Sequence, residues 1–530
     1  TPCGTLFPYT TLFRSADNMP FDKRLSDVLR TTFGFKEFRR HQKSIIKAIL
    51  EQRDVFAVMP TGGGKSLCYQ LPALLMSGTC IVISPLISLM QDQVKAAKDL
   101  GIKAEFLNSS VARSDAARII REARAGRLNL LYLAPERMAI DGQLEFLAEI
   151  NVALFAVDEA HCVSEWGHDF RPDYLNLREL THKFPDVPLA AFTATATSQV
   201  QAEIIKKLGL RHPFAIRASF DRPNLFYRVV NKERRVERQI VSILKDRPPG
   251  PAIIYRTTRD SVEKTAAYLV GNGINALPYH AGLDAATRGE YQEKFNRDDV
   301  SVIVATIAFG MGIDKSNIRF VMHGDLPKNI ESYYQETGRA GRDGAPAECV
   351  LFFRPADAAK ILFFISQMQD ERERRNADNK LRRMSGFASR YECRRRQLLD
   401  YFGEEYHRGN CGNCDVCTGS ADFEDATTEA RILLSAVART GQRFGIGHVV
   451  DVVIGADTQR MRRLGHDQLK TYGRGRDKSK KYWRRLAHEL ITAGKLIRTS
   501  DRYPVLNISA TGKDLLYGQA IFKKLGTRKE

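Results

Sequence analysis

The chain lacks any long apolar run. Its longest stretch without a charged residue, Ser66–Gln91, is broken by Pro72, Gly78 and Pro85 and by several polar residues. It reads as helix, turn and buried strand rather than as a membrane span, so no membrane association is expected. No secretory signal is expected either. A disulfide framework is missing: of nine cysteines, five are scattered (Cys3, Cys68, Cys80, Cys162, Cys349) and four sit close together near residue 400. That distribution suits a reducing cytoplasm and one metal site. Tryptophan is scarce, at two residues, and acidic side chains are outnumbered, 62 against 81 basic ones. The formal charge of +19 and a pI near 9.5 favour a polyanionic partner. Charge alone leaves nucleic acid, ribosome and anionic membrane open. The length allows three or four domains, each with its own core.

What is present centres on Met59–Ser66, MPTGGGKS. The apolar run Val55–Val58 before it predicts a buried strand, and Leu67–Leu75 after it predicts a helix. Strand, glycine-rich loop and helix are the context of a phosphate-binding loop. Gly62, Gly63 and Gly64, following Thr61, let backbone N–H groups turn inward around an anion, and the helix N-terminus adds partial positive charge. Lys65 is the candidate for the β/γ-phosphates and Ser66 for Mg²⁺. The stricter pattern has glycine where Met59 stands. Upstream, Phe33, Gly34, Phe35, Phe38 and Arg39 lead to Gln42. An aromatic, an arginine and a carboxamide can hold a purine by stacking and by hydrogen bonds to its edge.

Further short apolar runs, Cys80–Ser84 and Leu128–Ala134, end in the polar strings SPLISLMQDQ and PERM. The alternation predicts a parallel sheet covered by helices, with ligands at the carboxyl ends of its strands. Leu154–Val157 runs into Asp158-Glu159-Ala160-His161. Asp158 is the candidate Mg²⁺ holder through water, and Glu159 the candidate to orient and deprotonate the attacking water. The next string, CVSEWGHDFRPDY, interleaves Trp166, Phe170 and Tyr174 with His168, Asp169 and Arg171, a composition able to stack on bases. FTATAT, Phe192–Thr197, follows another strand. After ASFDRPNLFYRVV a second strand–helix series begins at Ala252–Tyr255. It has no phosphate loop but carries GMGIDK and YQETGRAGRDG. Gln335, Arg339 and Arg342 lie in the latter. Arginine is suited to stabilising a transferring γ-phosphoryl, and a helix through this string would put Arg339 and Arg342 on one face.

Beyond the second series, Asp370–Arg396 is rich in charge. Cys411, Cys414 and Cys417 form CGNCDVC, and with Cys393 they offer four thiolates for a closed, structural Zn²⁺ site. Ala426–Gln519 reads as helices followed by a small hairpin around Leu496–Ile497 and Val505–Ile508, a winged helix. Arg474, Arg476, Lys478, Lys480 and Lys481 are its candidates for phosphate contacts.

Taken in order, FGFKEFRRHQ, MPTGGGKS, SPLISLMQDQ, YLAPERM, DEAH, FTATAT, IAFGMGIDK and QETGRAGRDG make the chain resemble a superfamily-two helicase of the RecQ family, bacterial type, from about Met19 to Gln519. CVSEWGHDFRPDY and ESYYQETGRAGRDG are the most discriminating strings. The resemblance implies an α/β fold of two RecA-like parallel-sheet domains with ATP in the cleft between them. A zinc-binding helical subdomain and a winged-helix domain follow. It implies that Lys65 and Ser66 bind phosphate and Mg²⁺, and that Asp158 and Glu159 serve Mg²⁺ and water. It also implies that His161 links the site to DNA-sensing elements, and that Gln42, Phe35 and Arg39 read adenine. Many members carry tyrosine where Phe35 stands. Arg342, with Arg339 second, resembles the arginine finger. Trp166, Phe170 and Arg171 fall in the loop that couples single-stranded DNA to hydrolysis. The spacing also resembles the family's zinc-binding subdomain, which supports Cys393 as the distant first ligand.

The implied activity is ATP-dependent 3′→5′ translocation on single-stranded DNA, with duplex unwinding in repair and recombination. The alternatives are an RNA helicase and a non-enzymatic DNA-binding or annealing scaffold with a relic motor. Implied partners are single-stranded and branched duplex DNA and a single-stranded-DNA-binding protein, met by a cytoplasmic, nucleoid-associated monomer. The expected division is residues 1–18, 19–217, 218–354, 355–420, 421–520 and a basic tail 521–530. Thr5–Ser15, TLFPYTTLFRS, reads as a translated sequencing adaptor, so Met19 is the expected start. The small helical HRDC domain that ends many members is expected to be missing, through natural absence or truncation.

Overall fold

The computed structural model describes residues 21–167, 169–307, 309, 315–499 and 504–526. Residues 1–20, His168 and most of GMGIDK lie outside them.

Seven short strands form the first sheet: β1 Val55–Val58, β2 Thr79–Ile83, β3 Ala104–Leu107, β4 Leu130–Leu133, β5 Val152–Val157, β6 Leu189–Thr193 and β7 Phe214–Arg217. Most are buried along their whole length, as expected where helices cover both faces. The order is β3-β4-β2-β5-β6-β1-β7 and every pairing is parallel. With β6 in register between β1 and β5 (Phe56 opposite Ala191, Ala156 opposite Ala190), the loops after β1, β5 and β6 emerge side by side. Helices Phe21–Thr31, Gln42–Leu50, Leu67–Leu75 and Ile87–Asp99 supply Leu25, Ile45, Leu71 and Met90 to the core on one face.

The chain divides into two compact units between Phe220 and Asp221. The second unit has its own parallel sheet: β8 Leu225–Asn231, β9 Ala252–Tyr255, β10 Ala276–Tyr279, β11 Val302–Ala305, β12 Phe320–His323 and β13 Ala347–Phe353, in the order β10-β11-β9-β12-β13-β8. A long helix, Glu371–Ser389, and a short one, Arg394–Tyr401, lead into the cysteine-rich turn. A fully buried ion pair joins the short helix to that turn, and its carboxylate residue docks on β8. Arg394 meets Asp415 at 3.0 Å, and Asp415 also accepts from the N–H groups of Val229 (2.9 Å) and Val416 (2.8 Å). A buried pair of this kind is tolerable because nearly every lone pair and proton is used. The Arg394 guanidinium spends both Nη1 protons on the carbonyls of Phe387 and Arg390.

The last region packs helices Thr427–Arg439, Ile446–Ile454 and Lys480–Thr492 around Trp483. A two-stranded wing follows, β15 Leu496–Arg498 and β16 Leu506–Ile508. Residues 500–503 lie outside the described residues. Gly475 is forced by packing, since a Cβ there would stand 2.3 Å from the Trp483 ring, whose indole N–H donates to the Gly475 carbonyl at 2.8 Å. Lys523–Leu525, expected in a basic tail, instead form a strand, β17, that pairs antiparallel with β14, Phe423–Asp425. Its N–H and C=O groups are thereby used by the fold.

Candidate nucleotide site, arginine turn and cysteine cluster

The glycine-rich loop leaves β1 at Met59, whose N–H donates to Thr193 O at 2.9 Å and whose carbonyl accepts from Lys65 Nζ at 3.3 Å. The position that is glycine in the stricter pattern is thus the buried end of a strand, where a Cβ does no harm. Gly62 and Gly64 have φ of +79° and +75°, the left-handed region that glycine enters without penalty. Gly64 has no spare room either, because a Cβ would lie 2.3 Å from Gln42 Nε2. The Gln42 carboxamide accepts from the Arg39 N–H (2.8 Å) and donates to the carbonyls of Gly64 (3.1 Å) and Gly63 (3.4 Å). The Arg39 guanidinium bonds the Gly62 carbonyl. Two of the three residues expected to read a purine are therefore brought together on the phosphate loop itself. The third, Phe35, is 52% exposed.

Asp158 and Glu159 follow β5. The Asp158 carboxylate accepts from the Glu159 N–H at 2.9 Å and from Gln93 Nε2 at 3.4 Å. Burial, reinforced by the Glu159 charge and opposed by Lys65, raises its pKa to about 6. Two adjacent buried carboxylates that Lys65 only partly neutralises fit a divalent cation. Glu159 adopts φ 47°, ψ 45°, a conformation costly for a non-glycine residue and typical of functional positions. His161 lies 3.3 Å from Glu159 and its Nδ1 is 3.0 Å from Thr193 Oγ1, which ties DEAH to FTATAT. Burial opposes a charge on His161, but Cys162 and Glu159 outweigh it and raise its pKa to about 10. Burial raises the Cys162 thiol in turn, opposed by His161.

Gln93 was not singled out from the sequence. It lies one turn from Leu89 and Ala97 on the inward face of helix Ile87–Asp99, and a carboxamide on an apolar stripe is the signal that could have found it. Its Oε1 accepts from the Tyr69 hydroxyl at 2.7 Å.

In the aromatic string, the Trp166 N–H donates to Ser164 Oγ at 3.2 Å, and Lys207 stands over the Phe170 ring at 5.6 Å. Arg171 pairs with Asp169 at 3.2 Å and donates to the Pro85 carbonyl at 2.6 Å. One arginine thus joins this loop to the loop after β2. Trp166 and Phe170 are half-buried.

Arg339 and Arg342 do not share a helix. The helix Ile330–Thr337 ends before them, and Gly341, at φ +55°, turns the chain toward β13. The helix closes at Thr337 with Gly338 as its C-cap, so Arg339 already lies beyond it, and the left-handed Gly341 then separates Arg339 from Arg342. The Gly341 N–H donates to Ile318 O at 2.9 Å, which sets the turn at the amino-terminal edge of the second sheet. Arg339 is buried and faces Tyr255; Arg342 is half-buried.

The four cysteines come together with all Sγ atoms within 4.8 Å of one another. Tetrahedral Zn–S bonds of about 2.3 Å separate sulfurs by roughly 3.8 Å, so the set needs only a small contraction. Backbone N–H groups point at the sulfurs: Arg396 to Cys393 (3.5 Å), Cys411 to Cys417, Asn413 to Cys411 and Cys417 to Cys414 (3.4 Å each). Such donors stabilise thiolate ligands. The arrangement fits zinc.

Of the winged-helix cations, Lys480 and Lys478 pair with Asp451 (2.5 Å) and Glu429 (3.5 Å). Arg474, Arg476 and Lys481 are exposed.

Four family profiles match along the chain: DEAD/DEAH box helicase over residues 39–204, helicase conserved C-terminal domain over 234–344, RecQ zinc-binding over 355–418 and RQC domain over 421–525. Fold and site therefore define a two-sheet helicase motor followed by zinc-binding and winged-helix regions. Among solved structures, S. cerevisiae Dbp5 bound to RNA and ADP BeF3 matches with a TM-score of 0.53 at 16% identity, over 72% of this chain and 94% of that one. The DUF1998 helicase MrfA bound to DNA matches with 0.53 at 19%, over 64% and 50%. These likenesses concern the fold. The ATP-dependent DNA helicase RecQ of Pasteurella multocida (strain Pm70) is 42% identical over 94% of this chain and 79% of its own length. The proteins of the same name from Haemophilus influenzae and Bacillus subtilis are 43% identical (93% and 79%) and 40% identical (94% and 84%). The chain belongs to the RecQ family of ATP-dependent DNA helicases.

No helix among the described residues is long and apolar enough to cross a membrane.

Proposed function

We propose that this ATP-dependent DNA helicase moves 3′→5′ along single-stranded DNA and opens branched duplexes in repair and recombination. In this reading it works as a cytoplasmic, nucleoid-associated monomer alongside a single-stranded-DNA-binding protein. The observation that supports the motor reading best is the sharing of one sheet edge by Lys65, Asp158 and Glu159, close enough for Lys65 to act on the Asp158 charge. Lys65 and the N–H groups of Gly62–Gly64 bind the phosphate chain. Asp158, through water, and Ser66 would hold Mg²⁺, which neutralises charge on the phosphates when bound. Glu159 orients the attacking water and takes its proton. Gln42 and Arg39 exchange their loop carbonyls for the adenine edge, with Phe35 stacking on the ring. Arg342, with Arg339 in reserve, stabilises charge on the transferring γ-phosphoryl. Trp166, Phe170 and Arg171 report bound DNA to His161 and Glu159. We propose the domain limits 19–217, 218–354, 355–420 and 421–520 for this division of labour, with the strand β17 pairing back onto β14 of the last region.

Cys393, Cys411, Cys414 and Cys417 would hold Zn²⁺, which cross-links the turn when bound. Elemental analysis of purified protein should find about one zinc per chain; a metal-free protein of undiminished stability contradicts this assignment.

Turnover of ATP with and without single-stranded DNA, beside unwinding of matched DNA and RNA duplexes with a 3′ or a 5′ overhang, tests the reading. The expected result is DNA-stimulated hydrolysis and opening of the 3′-overhang DNA. Equal opening of RNA, or of the 5′-overhang substrate, contradicts it.

A further inference from the structure

The segment before β8, Asp221–Leu225, reads DRPNL and was legible from sequence only as the start of the second lobe. In the structure it grips the arginine turn. The Arg222 guanidinium donates to the carbonyls of Gly338 (3.2 Å), Ala340 (2.9 Å) and Gly341 (3.0 Å). Asn224 Nδ2 donates to Gly341 O (2.8 Å) and Ala345 O (2.9 Å). Contact is so close that a Cβ on Gly341 would stand 2.4 Å from that nitrogen. Five side-chain hydrogen bonds thus fall on the carbonyls of a turn that has left its helix, beside the backbone bonds that its own N–H groups make to Ile318, Ser316 and the preceding helix.

The same segment is held from behind by the cysteine-rich module. Arg395 pairs with Asp221 and donates to Leu225 O at 3.0 Å. Asn413, between Cys411 and Cys414, donates to Pro223 O (2.8 Å) and Leu225 O (3.1 Å). Pro223 fixes its own φ and restricts Arg222 before it, so the segment resists bending between its two sets of contacts.

We propose that Asp221–Leu225 is a positioning strap for ATP hydrolysis, setting the turn that carries Arg342 and passing to it the rigidity of the cysteine module. Arg222 and Asn224 are positioning residues that act through Arg342. The proposal rests on reading Arg342 as the residue that stabilises the transferring phosphoryl. Misplacing such a group by an ångström weakens catalysis more than binding.

The test compares full-length variants by DNA-stimulated ATP turnover, KM for ATP, affinity for single-stranded DNA and thermal unfolding. Arg222→Ala and Asn224→Ala should lower kcat on the order of ten- to a hundred-fold, leaving KM and DNA affinity within about two-fold. Arg222→Lys, which keeps the charge but not the fork, should recover only part of the loss. Arg222→Ala combined with Arg342→Ala should be no slower than Arg342→Ala alone, because both act at one point. Asn413→Ala should lower kcat less, with zinc content unchanged. If Arg222→Ala fails to fold, Asn224→Ala carries the same comparisons.

Wild-type turnover in Asn224→Ala and Arg222→Ala beside a slow Arg342→Ala overturns the strap, as do losses that add in the double variant. Wild-type turnover in Arg342→Ala itself instead overturns the arginine assignment. The two failures are therefore told apart by which variant keeps its rate.

Discussion

The two parallel sheets use opposite edges. In the first, the loops after β1, β5 and β6 at the carboxyl edge carry Lys65, Asp158–Glu159 and Thr193. Met59 and His161 each bond Thr193, and Gln93, on the helix after β2, reaches Asp158. In the second, the arginine turn lies at the amino-terminal edge, tied to Ile318 and to the strap before β8. One scaffold thus presents a glycine-rich loop bonded to its neighbouring loops. The other presents two arginines on a turn that side chains from outside also bond. A sheet edge is a place to mount loops, and chemistry follows the residues mounted there.

The comparison can be broken from either side. The largest effect expected is on the second unit's integrity. Arg394→Ala leaves Asp415 buried without its partner and should cost about 3–5 kcal/mol, read as a lowered urea midpoint. A midpoint unchanged from wild type would mean that the cysteine turn is not anchored through this pair. On the first sheet, Lys65→Ala should reduce DNA-stimulated turnover by about 10²–10³-fold with the fold intact by circular dichroism. Unchanged turnover would remove the glycine-rich loop from the site. Trp166→Ala is expected to act more gently. Loss of a stacking ring is worth about 1–3 kcal/mol per base, so DNA should stimulate hydrolysis less while the DNA-free rate stays the same. Full stimulation and unwinding would exclude the aromatic string from the coupling.

Much of the first lobe was legible because its signals are local. Val55–Val58 followed by three glycines and Lys65 specifies strand, loop and helix within a dozen residues, and Asp158–Glu159 sits where an apolar strand stops. The cysteine cluster was legible from spacing, with Cys393 further supported by the family resemblance. What was not legible depends on distant partners. Nothing in the sequence says that Gln42 spends its carboxamide on Gly63 and Gly64, that Gln93 reaches Asp158, or that Arg222 and Asn224 clasp a turn more than a hundred residues later. The helix proposed for Arg339 and Arg342 failed locally: it closes at Thr337, before either arginine, and the left-handed Gly341 then bends the chain between them. Pairing of Lys478 and Lys480 with Glu429 and Asp451 is also invisible to a reading by charge, which sees five cations and no neighbours.

The central claim is that the two sheets divide the work, the first binding nucleotide and the second supplying the charge that speeds its hydrolysis. Arg342→Ala tests it most directly, with affinity for a non-hydrolysable ATP analogue and DNA-stimulated turnover measured on the same preparation. The account predicts analogue affinity close to wild type and turnover lower by about 10³-fold or more. Turnover at the wild-type rate, or analogue binding lost in proportion to turnover, would contradict it.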